Sequence, residues 1–302
     1  LEGGAILAAD FFIDCTGFAN LLIGRTLEVP YHSYSDTLFN DRAVALPTEL
    51  TKDSLPSQTI STALKHGWAW KIPLTNRFGH GYVYSSNYCD EESAEQELRG
   101  HIGQHDESVE ARHLKMRIGR IERAWDHNCL AVGLSQGFIE PLEATALMIV
   151  QDTLENFIER FEQDGFTDVN KQLFNDKVNL ICDGVRDYIF MHYKLNSRGD
   201  TKYWQDNRHN KQLPDFVREL LSTWDKRKDV LGMLQSNSER MVYSHTSWIC
   251  MLAGMGRFPA QPKKVKPTQQ YADPAIVRQH CEQRLQNFQD HHKSIQKLAI
   301  TS

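Results

Sequence analysis

The sequence predicts a mixed α/β (α+β) protein in two parts, and three observations carry that expectation. Up to residue 140, short apolar runs bounded by Gly, Pro and Asn surround a single helical stretch. From Pro141 the apolar spacing changes to three and four residues and stays helical nearly to the end. The composition, 40% hydrophobic and 24% charged over 302 residues, is that of a folded chain long enough for two structural units. The break near Gln163 to Thr167 separates them into 1–163 and 164–302.

Residues 5–16 are apolar and run into Thr16-Gly17, the pattern of a buried strand that ends in a turn. Further strands are expected at Ala43 to Leu46, Gly67 to Pro73, Gly81 to Ser85, Leu114 to Ile118 and Cys129 to Val132. Glu91 to Ile102 has the acidic start and the spacing of a short helix. Pro141 stands just inside the start of a long amphipathic helix that carries Leu142, Ala146, Ile149, Val150, Leu154, Phe157, Ile158 and Phe161. Lys171 to Lys194, Pro214 to Lys228 and Pro274 to Ala299 repeat the helical period, and Pro259 to Pro267 has the Pro and Lys content of an exposed connector.

Charge and cysteines narrow the function classes. Thirty-four Lys plus Arg against 39 Asp plus Glu leave a net charge of −5, so there is no global attraction for nucleic acid or an anionic membrane. No apolar run approaches the roughly 18 residues of a membrane helix, and Leu1-Glu2-Gly3-Gly4 lacks the marks of a signal peptide, so a cytoplasmic location is expected. The six cysteines are scattered with no Cys-x-x-Cys pair, as in reduced, mostly packed thiols. The first residue is not Met and the opening segment already has strand character, as expected of the back part of a longer protein.

Gly133-Leu134-Ser135-Gln136-Gly137 matches the Gly-x-Ser-x-Gly nucleophile elbow after an expected strand. An elbow starts its helix at the nucleophile, whereas Pro141 falls six residues past Ser135, inside that helix. Two other readings stay open: a glycine loop close to a flat or phosphorylated cofactor, or a plain strand-to-helix connection. Glu143 falls in the first turn of the following helix, where the positive helix end tolerates a carboxylate. The peptide groups of Thr145 and Ala146 in that turn can hold a small anion. Trp68 and Trp70 share one face of a strand that Pro73 stops, as in a core or interface strand. Asp14-Cys15-Thr16-Gly17 fits a simple turn, and Tyr243 and Trp248 fit a helical core. His280-Cys281 and His291-His292 lie on polar helical stretches without further ligands, so no metal site is expected.

Three of these segments, in order, resemble the flavin-dependent tryptophan halogenase family: 9–18 (Ala-Asp-Phe-Phe-Ile-Asp-Cys-Thr-Gly-Phe), 67–73 (Gly-Trp-Ala-Trp-Lys-Ile-Pro) and 133–143 (Gly-Leu-Ser-Gln-Gly-Phe-Ile-Glu-Pro-Leu-Glu). A fourth match runs from Val185-Arg186-Asp187-Tyr188 through His192-Tyr193 to Arg198-Gly199-Asp200 and Trp204. The resemblance covers nearly the whole chain. It implies the later portion of a glutathione-reductase-like FAD-binding module with a mixed sheet, carrying a mostly helical substrate-binding part.

The resemblance further implies aryl halogenation. Reduced FAD, supplied by a separate flavin reductase, turns oxygen and chloride or bromide into hypohalous acid that reaches an electron-rich aromatic substrate. Glu143 matches the family's tunnel glutamate. Thr145 and Ala146 fall where amides hold the halide, and Thr16, Gly17, Gly133, Leu134 and Leu147 where the chain meets the flavin. Trp68 and Trp70 would keep substrate from the activated flavin, and Tyr243 and Trp248 would line its site. Nucleic-acid and membrane partners are not implied, and a homodimer stays open. Three departures stand out. The Gly-x-Gly-x-x-Gly fingerprint and the tunnel lysine would lie in a preceding segment, so this chain alone is expected to be inactive, with neither Lys65 nor Lys71 placed to replace that lysine. Ala144 stands where the family usually has serine, and Met241 to Trp248 lacks the paired tyrosines and glutamate that grip free tryptophan. Competing functions are an aromatic monooxygenase of the same fold, a serine hydrolase using Ser135, and a non-catalytic helical binding module.

Overall fold

Three seven-residue strands rich in aromatic and small apolar residues build the largest sheet, because side chains that alternate across a strand let it bury both faces. The computed structural model describes residues 4, 6–50, 55–106, 108–259 and 273–300. Its strands are β1 (Phe12–Asp14), β2 (Tyr31–Ser33), β3 (Arg42–Thr48), β4 (Ile60–Leu64), β5 (Gly67–Pro73) and β6 (Phe78–Tyr84). Helix α1 (Glu91–Ile102) precedes β7 (Arg112–Lys115), β8 (Gly119–Ile121), β9 (Trp125–Asp126), β10 (Cys129–Ala131) and β11 (Gly137–Phe138). Helices follow: α2 (Ala146–Gln163), α3 (Lys171–Lys194), α4 (Lys202–His209), α5 (Asp215–Asp225), α6 (Val230–Ser236), α7 (His245–Gly254), α8 (Pro274–Leu285) and α9 (His291–Ile300).

The large sheet has the order β4-β5-β6-β3-β7 and is antiparallel throughout. Val44, Leu46, Ala69, Tyr82 and Tyr84 on one face pack on Ala94 and Leu98 of α1. Ala43, Trp68 and Val83 point the other way, into the core built by α3, α4, α5 and α7. Of two smaller sheets, β1-β10-β9 lies against α2 and α3, and β11-β8-β2 packs its Ile121 and Tyr31 on Cys129 and Ala131 of the first. There Phe11, Phe157, Phe161 and Phe174 surround the Trp125 indole, with ring centroids 5.0 to 6.1 Å from it. Helix α3 buries Val178, Val185, Ile189, Phe190 and Met191 and is enclosed on most sides. A mixed α/β fold is what the sequence predicts.

Several boundaries differ from expectation. The strand expected over 5–16 is limited to Phe12–Asp14, because Cys129–Ala131 supplies a partner only there; Ile6 and Leu7 are 92% and 70% exposed. The stretch from Leu114 to Ile118 splits between the end of β7 and the approach to β8, and β6 begins three residues before Gly81. The helix expected from Pro141 begins at Ala146, since Ala144 takes a left-handed conformation (φ 55°, ψ 32°) that ends a short 3₁₀ turn at Pro141–Glu143. Glu143 therefore precedes the helix rather than lying in its first turn. Pro274 to Ala299 forms two helices with a break at 286–290. Three cysteines, Cys15, Cys250 and Cys281, are exposed, so the thiols are half packed rather than mostly packed. The connector expected at Pro259 to Pro267 lies, past its first residue, outside the described residues. No helix among the described residues is long and apolar enough to cross a membrane.

Candidate active site

The site begins where β1 ends. Asp14 is buried, and its carboxylate accepts from the Thr16 amide (2.9 Å) and hydroxyl (2.6 Å) and from the amides of Leu22 and Ile23 (both 2.9 Å). Burial pushes this carboxyl up, but the Thr16 hydroxyl and the three amides outweigh it and hold the group below its usual range. The Asp14 carboxylate thus organises the turn that carries Thr16 and Gly17. Ser135 from the β10 loop is buried, and its single O–H is shared between the carbonyls of Asp14 and Val132. Those bonds join the two turns. They also occupy the serine, which is no exposed nucleophile.

Gly133 (φ 70°) lets the chain turn sharply out of β10. Gly133, Leu134, Gln136, Phe138, Thr145, Ala146, Leu147 and Val150 then line one cavity of about 280 Å³, which Arg120 and Cys182 border. Of the expected contacts, five (Gly133, Leu134, Thr145, Ala146 and Leu147) meet there. Thr16 and Gly17 are not among its lining residues, though Phe18 packs on Phe138 with ring centroids 5.6 Å apart. Leu134 is 42% exposed and Leu147 82%. An apolar rim beside a helix start fits a flat ring system with an anion near the amides.

Glu143 sits on the far side of the Ala144 turn. Its Oε1 lies 2.8 Å from Nε2 of His192, whose Nδ1 contacts the Tyr188 carbonyl at 3.0 Å. The Tyr188 ring stacks on Tyr243 (centroids 3.7 Å apart) and meets Trp248 edge-on (4.8 Å). Burial raises the hydroxyl pKa values of Tyr188 and Tyr243, and the negative charge of Glu143 adds to both. Tyr243 and Trp248 thus join Glu143 in one aromatic cluster. Trp248 is fully buried and also packs on Phe216, so it is core as well as wall.

The approach of the 238–243 segment depends on α3. A Cβ at Gly184 would come within 2.0 Å of the Arg240 carbonyl, so only glycine permits this contact. Next to it, buried Asp187 pairs with Arg186 (2.6 Å) and Arg240 (3.3 Å). Burial raises that carboxyl to about 6 against the pull of both guanidinium groups.

Trp68 and Trp70 share one face, with rings 6.0 Å apart, and belong to the same core as Tyr188, Tyr243 and Trp248. The Trp68 indole N–H donates at 2.9 Å to Oε2 of Glu140, a fully buried carboxylate. Asn40 Nδ2 (2.8 Å) and the Tyr193 hydroxyl (2.6 Å) donate to the same oxygen, and Tyr203 donates to Asn40. Burial raises the Glu140 carboxyl, while Tyr193, Trp68 and Asn40 oppose the shift. Sequence reasoning assigned no role to Glu140, Asn40, Tyr188 or His192. For His192 a signal existed: it lies four residues after Tyr188, so both fall on one side of α3. Glu140 and Asn40 meet across 100 residues and left no local trace.

Comparison with known proteins places these features. A family model described as tryptophan halogenase matches residues 1–271. The chain belongs to the tryptophan halogenase family. Among its relatives, the tryptophan 6-halogenase SttH of Streptomyces toxytricini is 38% identical over 277 residues, covering 90% of this chain and 51% of that protein. The 7-chloro-L-tryptophan 6-halogenase KtzR of Kutzneria sp. (strain 744) is 36% identical over 299 residues, covering 96% of this chain and 57% of that halogenase. The solved flavin-dependent halogenase Xcc4156 from Xanthomonas campestris superposes with a TM-score of 0.86 at 31% identity, covering 98% of this chain and 59% of that one. The chain spans about half the length of the halogenases it matches.

Proposed function

We propose that this chain is the part of an FADH2-dependent halogenase that carries the halide turn and the arene site. The observation that supports this most is the 143–147 turn. One side of it, at Thr145, Ala146 and Leu147, faces the apolar cavity shared with Gly133 and Leu134, and the other puts the Glu143 carboxylate beside Tyr188 and Tyr243. In this reading 1–163 is the rear of the flavin module and 164–302 the substrate-binding part. Gly133, Leu134 and Leu147, with Thr16 and Gly17 in the adjoining turn, hold FAD, which when bound and reduced by a separate reductase supplies the oxygen activation that turns chloride or bromide into hypohalous acid. The amides of Thr145 and Ala146 hold the halide at the helix start. The aromatic cluster orients the arene, and Glu143 stabilises the cationic ring and accepts its proton.

The substrate is an indole or phenol without the amino-acid group. A buried ammonium needs a partner. Between Arg240 and Trp248 there is no carboxylate, and Glu239 lies on a groove with Met148, Asp152 and Lys177 rather than with Tyr243. The test uses the full-length protein with FAD, reductase, oxygen and halide. Glu143→Gln should lower halogenation by about 10²-fold with flavin binding intact. Indole should exceed tryptophan in kcat/KM by mass-spectrometric product assay. Near-wild-type turnover of Glu143→Gln overturns the role of Glu143, product formed without halide overturns halogenation, and a tenfold preference for tryptophan overturns the substrate assignment.

A further inference from the structure

The His192 ring is held at both nitrogens. Its Nδ1 lies 3.0 Å from the Tyr188 carbonyl one helical turn earlier, and a carbonyl only accepts, so Nδ1 carries a hydrogen. Its Nε2 lies 2.8 Å from Glu143 Oε1. A neutral ring anchored in this way would turn a lone pair toward the carboxylate, and at that distance two lone pairs repel. The contact is bonding only when a proton lies between Oε1 and Nε2. Among the described residues, Glu143 makes no other ion pair.

We propose that His192 is a positioning residue that grips Glu143 by Oε1 through this shared proton and leaves Oε2 to take the proton from the halogenated ring. The inference rests on the halogenase reading and adds a residue to it. In the step, the ring C–H bond breaks, its electron pair restores aromaticity, the proton goes to Oε2, and the halogen stays on carbon. The titratable groups around the pair are Tyr188 on α3, Tyr243, Cys250 on α7, and Glu140, and none of them carries a positive charge that could replace the imidazole. His192 also lines the groove with Ser247, Cys250 and Met251, so the pair is in reach of solvent.

The test uses the full-length protein with FAD, reductase, oxygen, chloride and indole. His192→Phe should lower kcat about 10-fold or more with KM for indole within about two-fold. His192→Gln, which keeps an N–H at the Nε2 position, should recover to within about three-fold of wild type. A wild-type kcat in His192→Phe, or a His192→Gln variant as slow as His192→Phe, overturns the proposal. A second measurement needs no turnover: selective ¹⁵N-histidine spectra should show protons at both His192 ring nitrogens in wild type and at Nδ1 alone in Glu143→Gln at the same pH. A wild-type ring protonated only at Nδ1 overturns the grip. An intact grip in a protein that forms no halogenated product upholds the contact and overturns the functional reading instead.

Discussion

Removing the Glu140 carboxylate in two ways isolates what it does for the fold. Glu140→Gln and Glu140→Ala both delete the buried charge, so the cost of burying it cancels in their difference. The glutamine keeps an amide oxygen where Trp68, Asn40 and Tyr193 donate at 2.9, 2.8 and 2.6 Å, whereas alanine leaves those donors without their acceptor. A buried donor without a partner costs about 1–3 kcal/mol; alanine leaves three and glutamine one, its amide NH2 at the unpartnered Oε1 position, so the variants separate by about 2 kcal/mol or more. The glutamine should lose about 2–4 kcal/mol against wild type, since charge-assisted bonds become neutral ones and its NH2 lies where Oε1 has no partner, while the buried charge is relieved. Urea unfolding followed by tryptophan fluorescence reads both, and Trp68→Phe, which removes one donor, should narrow the gap by about 1–3 kcal/mol. Equal midpoints for the alanine and glutamine variants would refute the reasoning and show that the three donors find other partners.

Three further outcomes follow from the same geometry. Ser135→Ala should cost about 1 kcal/mol of stability and leave halogenation near wild type, because the hydroxyl ties β10 to the Asp14 turn; labelling of Ser135 by a fluorophosphonate probe would favour the hydrolase instead. His80 is buried against Thr48 Oγ1 at 2.8 Å, and burial, with Lys71 and His101, lowers its pKa from 6.5 to about 4. Between those values the unfolded chain binds the extra proton, so stability is full above pH 6.5 and falls below it by up to about 1.4 kcal/mol per pH unit; His80→Gln should flatten that slope in urea midpoints measured from pH 7 to 4.5. Gly184→Ala should destabilise by about 2 kcal/mol and disturb Tyr243, because its Cβ meets the Arg240 carbonyl; an unchanged midpoint and tyrosine environment would show that the 238–243 segment shifts freely.

Four motifs spread along the chain point to the family, and the mixed architecture and the limits of β5, α1 and α3 are legible in the residues themselves. These limits are set by information within one element: alternation in Gly67–Pro73, Asp90 and Gly103 capping α1, and the period of Lys171–Lys194. The sequence also placed Gly133, Leu134, Thr145, Ala146 and Leu147 together, since they lie within fifteen residues of one another around a strand-to-helix passage. The tertiary structure decided the rest. Helix α2 starts at Ala146 because Ala144 is left-handed, a conformation that alanine does not advertise. The two-residue strands β9 and β11 exist only through the neighbours they pair with. The Trp68 indole meets a buried carboxylate 72 residues away, and Glu143 meets His192 on a separate helix. A hydrogen bond between distant residues imposes no period on either segment, so a pattern read along the chain records which faces are buried but not which polar atoms meet there.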